Sequence, residues 1–315
     1  MKILVTGASG FVGSALCTRL IGEDVAVFGA VRHLPAKNIV GVDYRIIPDM
    51  SSETNWSDAL TGVNAIVHCA ARVHVMQDTA DDPLVVFRKV NVEGTVRLAK
   101  QAVDCGIKRF VYISSLKANG EYTEGVPFKA DDVPEPDDPY SISKWEAEQA
   151  LNEIAMETGL EVVIIRPPLV YGEGVRANFL RLMQAIKLGL PLPLGAIKNR
   201  RSLVALDNLV DLIVTCLRHK AAINQTFLVS DGEDLSTPEL LTRVAHTMKR
   251  TACLFSVPVP LLIKIASILG KVGFASRLCS SLQADINKTQ NLLGWSPPVS
   301  VDEALQKTTD YFLSH

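Results

Sequence analysis

Short apolar runs, separated by longer stretches of helical periodicity, fill the first half of the chain. The runs are rich in Val, Ile and Ala and cover residues 2–5, 25–31, 43–47, 65–69, 109–115 and 161–166. Continuous apolar runs of this length are typical of strands that are buried on both faces of a sheet. Residues 87–103 and 141–157, which lie between such runs, have the spacing of helices. This alternation predicts parallel βαβ units, and therefore an α/β fold with a doubly wound parallel sheet.

Beyond about residue 170 the pattern is less regular. Helices are predicted at 178–188 and 207–217, and short strands at 201–205 and 227–230. Asp207 and Ser236 stand where the N-caps of helices are expected. We therefore expect a main domain over residues 1–170, to which residues 202–230 return, and a smaller C-terminal lobe formed mainly by residues 171–315.

The first predicted strand runs directly into a turn that contains Gly7, Gly10 and Gly13, and a helical pattern follows at once. In such a unit the first glycine permits the tight turn, the second lets the backbone approach a pyrophosphate, and the third lets the helix pack on the strand. The helix N-terminus offers unpaired N–H groups and a positive dipole end to the phosphates. The unit predicts a dinucleotide site; the alternative is an ordinary strand-to-helix turn.

The end of the second predicted strand bears on the choice of cofactor. A carboxylate at this position would hydrogen-bond the ribose 2′-hydroxyl of NAD, whereas an arginine pairs with the 2′-phosphate of NADP. Arg32 stands there, and no Asp or Glu occurs between Asp24 and Val40. NADP is therefore favoured over NAD, the alternative being that Arg32 is only a solvated residue at a strand end.

Tyr140 and Lys144 are four residues apart at the start of the long predicted helix, so both side chains emerge on one face. A neighbouring ammonium favours the phenolate of a tyrosine, whose ordinary pKa is about 10. Ser115 ends the preceding strand and can hydrogen-bond the same substrate oxygen as Tyr140. This trio suits hydride transfer at a carbinol or carbonyl carbon, with Tyr140 as general acid or base.

The ordered motifs TGASGFVG, VHCAA, VNVEGT, YISS, YSISK and IRPPLVYG resemble those of the extended short-chain dehydrogenase/reductases, in particular the sugar-nucleotide epimerase/dehydratase group. The segment LLGWSPPVSVDEAL extends this resemblance to the end of the chain. It implies a Rossmann-type dinucleotide-binding domain in the first part of the chain and a smaller C-terminal lobe that holds a nucleotide-diphosphate sugar. It also implies a homodimer, built from the helices at 87–103 and 141–157.

The resemblance assigns roles to individual positions. Catalysis is assigned to Ser115, Tyr140 and Lys144, and Ser115 is chosen over Ser114 because only one of two successive strand residues should face the substrate. Two further groups are implied to bind ligands. The cofactor residues are Gly7, Gly10, Phe11, Val12, Gly13, Arg32, Asp49, Met50, Ala70, Ala71, Asn91, Tyr140, Lys144 and Pro167, and the substrate residues are Ser115, Asn178 and Arg201.

Departures from the family pattern reduce the number of activities that are expected of this chain. Leu116 and Lys117 stand where the 4,6-dehydratases carry an acidic pair. Arg32 replaces the acid that is usual in UDP-hexose 4-epimerases. The runs CAARVHVM and RRSLVALDNLVDLI resemble bacterial polysaccharide-locus proteins that work on a C4 ketone. The prediction is therefore reduction of a C4 ketone on a UDP-linked hexose or N-acetylhexosamine, in bacterial surface polysaccharide biosynthesis. The alternatives are a UDP-glucose or UDP-N-acetylglucosamine 4-epimerase and a non-catalytic dinucleotide-sensing protein.

Charge and cysteine content argue against several other classes of protein. Lys and Arg number 32 against 34 for Asp and Glu, so no strong field favours nucleic acid or an anionic membrane. The six cysteines are scattered without the spacing of a zinc site or a disulfide framework, and neither a metal site nor a signal peptide is expected. We expect a cytoplasmic protein.

The apolar segment at 253–270 is interrupted by Pro258, Pro260 and Lys264, which disfavours a membrane-spanning helix. Lys271 and Arg277 follow it, so the segment is also compatible with peripheral contact to a membrane, as for a polyprenyl diphosphate-linked sugar. The favoured interpretation is a pair of helices that pack in the second lobe or cover the substrate.

Overall fold

Strands and helices alternate along the chain as the sequence pattern predicts. The computed structural model describes residues 1–73, 82–268, 270 and 272–315. Within these residues the strands are β1 (Lys2–Thr6), β2 (Ala26–Val31), β3 (Val42–Ile46), β4 (Ala65–His68), β5 (Arg109–Ile113), β6 (Glu161–Arg166), β7 (Leu169–Tyr171), β8 (Arg201–Ala205), β9 (Gln225–Leu228) and β10 (Asp234–Leu235).

The main sheet has seven parallel strands in the order β3-β2-β1-β4-β5-β6-β9. The direction of strand addition reverses between β1 and β4, where Val5 is paired with Gly29 on one side and with Val67 on the other. In a doubly wound sheet the crevice at the carboxyl ends of such strands is where ligands bind. This arrangement confirms the predicted Rossmann-type fold.

The helices connect the strands and cover both faces of the sheet. They are α1 (Phe11–Ile21), α2 (Ser57–Leu60), α3 (Pro83–Arg88), α4 (Gly94–Asp104), α5 (Pro139–Thr158), α6 (Ala177–Lys187), α7 (Leu206–Arg218), α8 (Thr237–Thr247), α9 (Val259–Ile268), α10 (Val272–Cys279), α11 (Asn287–Leu293) and α12 (Val301–Ser314). The single helix predicted over 87–103 is wrong in detail, because a π-helical turn at Lys89–Glu93 joins α3 to α4.

Alternate residues of the strands enter two separate cores. Ile3 and Val5 of β1 pack with α1 and α7 on one face, whereas Leu4 packs with α4 and α5 on the other. Strand residues that are buried on both faces have no polar alternation, which explains the continuous apolar runs in the sequence.

A second, three-stranded sheet in the order β10-β8-β7 forms the centre of the smaller lobe. It packs with α6, α8 and α12 around a third core. Of the residues at 202–230, β9 pairs with β6 in the main sheet and α7 packs against that sheet, while β8 lies in the second sheet. On this placement we propose that the two lobes interleave after β6.

The apolar segment at 253–270 contains the short helix α9, and α10 follows it and packs against α9. Leu261, Ile265 and Ile268 of α9 are exposed. Leu269 and Lys271 lie outside the described residues, as do residues 74–76 of the CAARVHVM run. Among the residues that the structure describes, no helix is long and apolar enough to cross a bilayer.

Candidate active site

The turn between β1 and α1 leaves no space for side chains at its glycines. Gly7 has a φ of +65°, and a Cβ there would lie 3.0 Å from the backbone N of Ala70. A Cβ on Gly13 would lie 2.2 Å from the carbonyl oxygen of Gly7. Gly10 is the N-cap of α1 and supplies no side-chain cap, so the first N–H groups of the helix remain available. The cradle therefore fits the pyrophosphate of a dinucleotide.

The other predicted cofactor residues gather at the same edge of the sheet. Phe11 and Val12 open α1, Ala70 and Ala71 follow β4, and Pro167 follows β6. Arg32 comes directly after β2, Asp49 follows β3, and both are exposed. Met50 is half-buried and packs against Gly94 of α4. The fold thus places all of these positions around the carboxyl ends of β1 to β6, where a dinucleotide would extend.

Buried hydrogen bonds fix the loop that follows β4. Thr95 Oγ1 donates to the Asn91 carbonyl at 2.7 Å, so it accepts from His68 Nε2 at 3.0 Å. His68 Nδ1 then accepts from Thr6 Oγ1 at 2.7 Å, and this hydroxyl oxygen accepts from the N–H of Ala70 at 3.1 Å. Burial and, secondarily, the charge of Lys144 lower the pKa of His68 to about 3. His68 is thus a neutral core residue, and no cluster of possible metal ligands occurs in the described part of the chain.

Asn91 connects this loop with the helix α5. Its Oδ1 accepts from the N–H of Arg72 at 2.7 Å, and its Nδ2 donates to the Arg72 carbonyl at 3.0 Å and to Ser143 Oγ at 3.0 Å. Because the protein itself uses both amide groups, we interpret Asn91 as support for the loop beneath a cofactor.

Ser114 and Ser115 face different surroundings, as strand alternation predicts. Ser114 Oγ donates to the carboxylate of the buried Glu148, which removes it from the substrate side. Ser115 lines a cavity next to the sheet, and its Oγ accepts from the N–H of Lys117 at 3.3 Å. The geometry favours Ser115 as the serine that meets the substrate.

Tyr140 lies in the first turn of α5, whose start is fixed by a capping box. Asp138 Oδ1 accepts from the N–H of Ser141 at 2.7 Å, and Ser141 Oγ receives the N–H of Asp138 at 3.1 Å. The Tyr140 ring meets Phe87 edge-on, with a centroid distance of 6.1 Å. Burial, aided by the charge of Asp138, raises the pKa of Tyr140 to about 12. In this state the phenol keeps its proton, so it needs added positive charge to act as a base.

Lys144 is 2 % exposed, and its Nζ lies 4.0 Å from the centre of the Tyr112 ring. Burial lowers its pKa to about 7, against the opposing effect of the Glu148 carboxylate one turn further along α5. Among the described residues, none is seen to accept a hydrogen bond from its ammonium. Lys144 therefore has donors available for a ligand, such as the ribose hydroxyls of a dinucleotide.

A cavity of about 330 Å³ lies between the main sheet and the smaller lobe. It brings together the three predicted substrate residues Ser115, Asn178 and Arg201. Much of its wall is apolar. These side chains are Leu116, Leu169, Val170, Phe179, Leu182, Leu203, Leu235, Leu240, Leu278 and Leu282. Tyr140 and Lys144 do not line this cavity.

Two cations in the cavity wall were missed by sequence reasoning as binding residues. Arg277 of α10 lines it together with Arg201, whose Nη1 donates to the Arg277 carbonyl at 2.7 Å. Lys117 lines it next to Ser115. Burial lowers the pKa of Arg201, and Arg277 adds to this effect. Paired guanidinium groups suit a diphosphate. The basic residue after an apolar segment was a signal for Arg277, but it was weighed only for the alternative of peripheral membrane contact. The favoured interpretation was a helix pair that packs in the second lobe or covers the substrate.

Residues 3–230 match the model of the NAD dependent epimerase/dehydratase family. The chain belongs to this family. A UDP-glucose 4-epimerase of Vibrio cholerae is 46% identical over 99% of this chain and 95% of its own length. An N-acetyl-alpha-D-glucosaminyl-diphospho-ditrans,octacis-undecaprenol 4-epimerase of Escherichia coli O157:H7 is 27% identical over 100% and 96%. The predicted membership of the extended short-chain dehydrogenase/reductases, and with it a nicotinamide-dependent enzyme, is confirmed.

Solved structures of the epimerase/dehydratase family share the whole fold. A UDP-glucuronic acid 4-epimerase from Bacillus cereus in complex with NAD has a TM-score of 0.80 at 22% identity, covering 100% of this chain and 99% of the other. A UDP-glucose 4-epimerase from Thermotoga maritima with UDP-glucose has a TM-score of 0.79 at 22% identity, with the same coverage. At this identity the likeness establishes the fold alone. None of these relatives supports the predicted 4-keto reductase, and the alternative of a 4-epimerase fits them better.

Proposed function

We propose that this chain is a UDP-hexose 4-epimerase that works with a retained NAD. The observation that carries the proposal is that Ser115 lines the cavity while Lys117, two residues later, donates to Asp138, the N-cap of the helix α5 that carries Tyr140 and Lys144. The 46% identity to a UDP-glucose 4-epimerase supports the same activity. Intact Ser115, Tyr140 and Lys144 argue against a protein that only senses a dinucleotide.

Gly7, Gly10 and Gly13 would hold the pyrophosphate, and Lys144 the nicotinamide ribose. NAD held by these residues would supply the hydride chemistry at C4 of the sugar. Tyr140 takes the proton of the C4 hydroxyl as the hydride leaves, and gives it back to the ketone oxygen after the sugar has turned its other face. Ser115 orients this oxygen in both steps. With Lys144 in place the pKa of the Tyr140 phenol is still raised, so the positive charge of an oxidised nicotinamide would have to lower it for proton transfer near neutral pH.

An epimerase returns its cofactor to the starting state in each cycle, so we propose NAD in place of the NADP that Arg32 favours. The nucleotide released from purified protein by acid denaturation tests this directly. NAD or NADH is expected; NADP would show that Arg32 binds a 2′-phosphate. The homodimer that the family resemblance implies remains a prediction, which the mass of the protein in solution tests.

The decisive experiment supplies UDP-galactose without added dinucleotide and follows the formation of UDP-glucose. Conversion to a UDP-glucose/UDP-galactose equilibrium is expected. A parallel reaction contains NADPH and a UDP-4-keto-6-deoxy-N-acetylhexosamine. Stoichiometric loss of NADPH there, with no interconversion of UDP-hexoses, would contradict the epimerase and restore the reductase.

A further inference from the structure

Lys117 occupies an unusual position between the cavity and the catalytic helix. Its side chain lines the cavity two residues after Ser115. Its Nζ donates to Glu121 Oε1 at 2.6 Å and to Asp138 Oδ2 at 2.6 Å. Asp138 is the N-cap of the helix that carries Tyr140. One ammonium is thus held by two carboxylates at the end of the cavity where the sugar must react.

We propose that Lys117, held by Glu121 and Asp138, is a specificity-determining residue that admits uncharged hexoses and rejects hexuronates. This inference rests on the proposed 4-epimerase function, because it assumes that C4 of the sugar reacts beside Ser115. We call these three residues the Lys117 cluster.

The backbone keeps Lys117 close to the C4 oxygen of a bound sugar. The N–H of Lys117 donates to Ser115 Oγ, so this residue is attached directly to the group that orients the C4 oxygen. C6 is bonded to C5, the ring neighbour of C4. A hexose bound with its C4 oxygen at Ser115 therefore has substituents within reach of the Lys117 cluster.

The charges around the sugar favour a neutral substituent. Arg201 and Arg277 also face the cluster, since Glu121 acts electrostatically on Arg201 and an Arg277 nitrogen lies 3.9 Å from Asp138 Oδ2. The substrate diphosphate would occupy these two guanidinium groups. One ammonium and two carboxylates then remain at the sugar end. A C6 carboxylate would add a third negative charge to this cluster, and its repulsion is strong in a partly buried site.

The hydrogen-bond capacity of Lys117 leads to the same conclusion. An ammonium has three donors, and Glu121 and Asp138 each take one. One N–H remains, which suits a single neutral oxygen such as a hydroxyl or an amide carbonyl. It does not suit a carboxylate, whose binding requires two or more strong donors.

Glu121→Gln tests the inference while leaving the helix cap intact. It removes one carboxylate and frees Lys117 for another anion. In the wild type we expect kcat/KM for UDP-glucose to exceed that for UDP-glucuronate at least about a hundredfold. In the variant this ratio should fall at least about tenfold, mainly through the KM of UDP-glucuronate. Any effect on the shared diphosphate cancels in the ratio. Glu124→Gln, an equal charge change at an exposed position of the same loop, should leave the ratio unchanged.

Lys117→Met provides the complementary result. Without the ammonium, the KM of UDP-glucose should rise several-fold and UDP-glucuronate should remain excluded, while Lys117→Arg should restore the KM of UDP-glucose. A merely structural role would change both substrates equally in all variants. Equal use of both substrates by the wild type, or an unchanged ratio in Glu121→Gln, would overturn the inference.

Binding separates this inference from the proposed function. Titration calorimetry of UDP-glucose and UDP-glucuronate on the same protein, as purified with its dinucleotide, measures discrimination without turnover. If no UDP-hexose is epimerised, the proposed function fails, and the ratio of the two dissociation constants still decides the role of Lys117. Thermal unfolding and dinucleotide content establish that each variant is folded.

Discussion

Arg166 donates through Nε and Nη2 to both carboxylate oxygens of Glu148, at distances from 2.5 to 3.1 Å, and their side chains are 3% and 0% exposed. Arg166 Nη1 also donates to Asn119 Oδ1 at 2.9 Å, and Ser114 donates to Glu148. The ion pair therefore connects the ends of β5 and β6 with α5. It fixes α5, which carries the proposed catalytic residues Tyr140 and Lys144, relative to the sheet edge that carries Ser115.

Removal of one partner of this pair should destabilise the protein strongly. Glu148→Leu leaves a buried guanidinium without its counter-charge, which costs about 3–5 kcal/mol of unfolding free energy. The double variant Glu148→Leu/Arg166→Met should lose clearly less unfolding free energy, because no buried charge is left unpaired. Urea denaturation measures both. Equal losses in the single and double variants would contradict this account.

The buried Lys144 predicts a pH dependence of stability. The folded-state pKa of about 7 lies below the ordinary value of 10.5. Below pH 7 the folded and unfolded chains are both protonated, and the penalty for burying the charge is complete. Between pH 7 and 10.5 the unfolded chain binds more protons, so the penalty fades and stability from this group rises with pH.

Lys144→Met should therefore gain stability relative to the wild type at pH 6.5, and this advantage should shrink by about 2 kcal/mol at pH 9. Urea denaturation without added nucleotide at the two pH values measures the difference. Lys100→Met, at an exposed position of α4, is the matched control and should show no such trend. An advantage that grows with pH would contradict the lowered pKa.

Tyr140→Phe removes the proposed general acid and base and keeps the ring that packs on Phe87. We expect turnover to fall about a thousandfold, within the range for loss of a positioned proton donor. The dinucleotide content of the purified protein should stay unchanged, because the glycine-rich cradle is intact. Tyr122→Phe, a tyrosine that is 57% exposed, is the control. Retention of a tenth of the activity would exclude Tyr140 from this role.

Local sequence patterns predicted the main sheet and the glycine-rich turn because the physics there is local. A strand buried on two faces must be apolar throughout, and the closeness of Gly7 to Ala70 excludes any side chain. Ser236 was also predicted correctly, as the cap of α8. Asp207 was predicted wrongly as a cap. The helix α7 starts directly from β8 with Ala205 as its N-cap, and Asp207 instead pairs with Lys307 at 2.7 Å.

Features that depend on tertiary contact were not visible in the sequence. The π-helical turn at Lys89–Glu93 has no periodicity of its own. Lys117 was interpreted only as the absence of an acidic pair, since its pairing with Asp138, 21 residues further along the chain, arises only in the fold. Arg277 reaches the cavity because α10 packs beside β8, far away in the chain. Such positions combine segments that a single sequence does not relate to each other.

The pair Arg201 and Arg277 predicts how the substrate diphosphate is held. Arg277→Leu removes one cation from the cavity wall without opening the main sheet, and loss of charge-assisted hydrogen bonds weakens binding by about 1.5–3 kcal/mol. The dissociation constant of UDP should therefore rise about ten- to a hundredfold, measured by titration calorimetry. Arg181→Leu, at an exposed position of α6, is the matched control. A cation in the cavity wall must contribute to the binding energy of a doubly charged ligand that lies against it. An unchanged UDP affinity in Arg277→Leu would therefore place the diphosphate elsewhere.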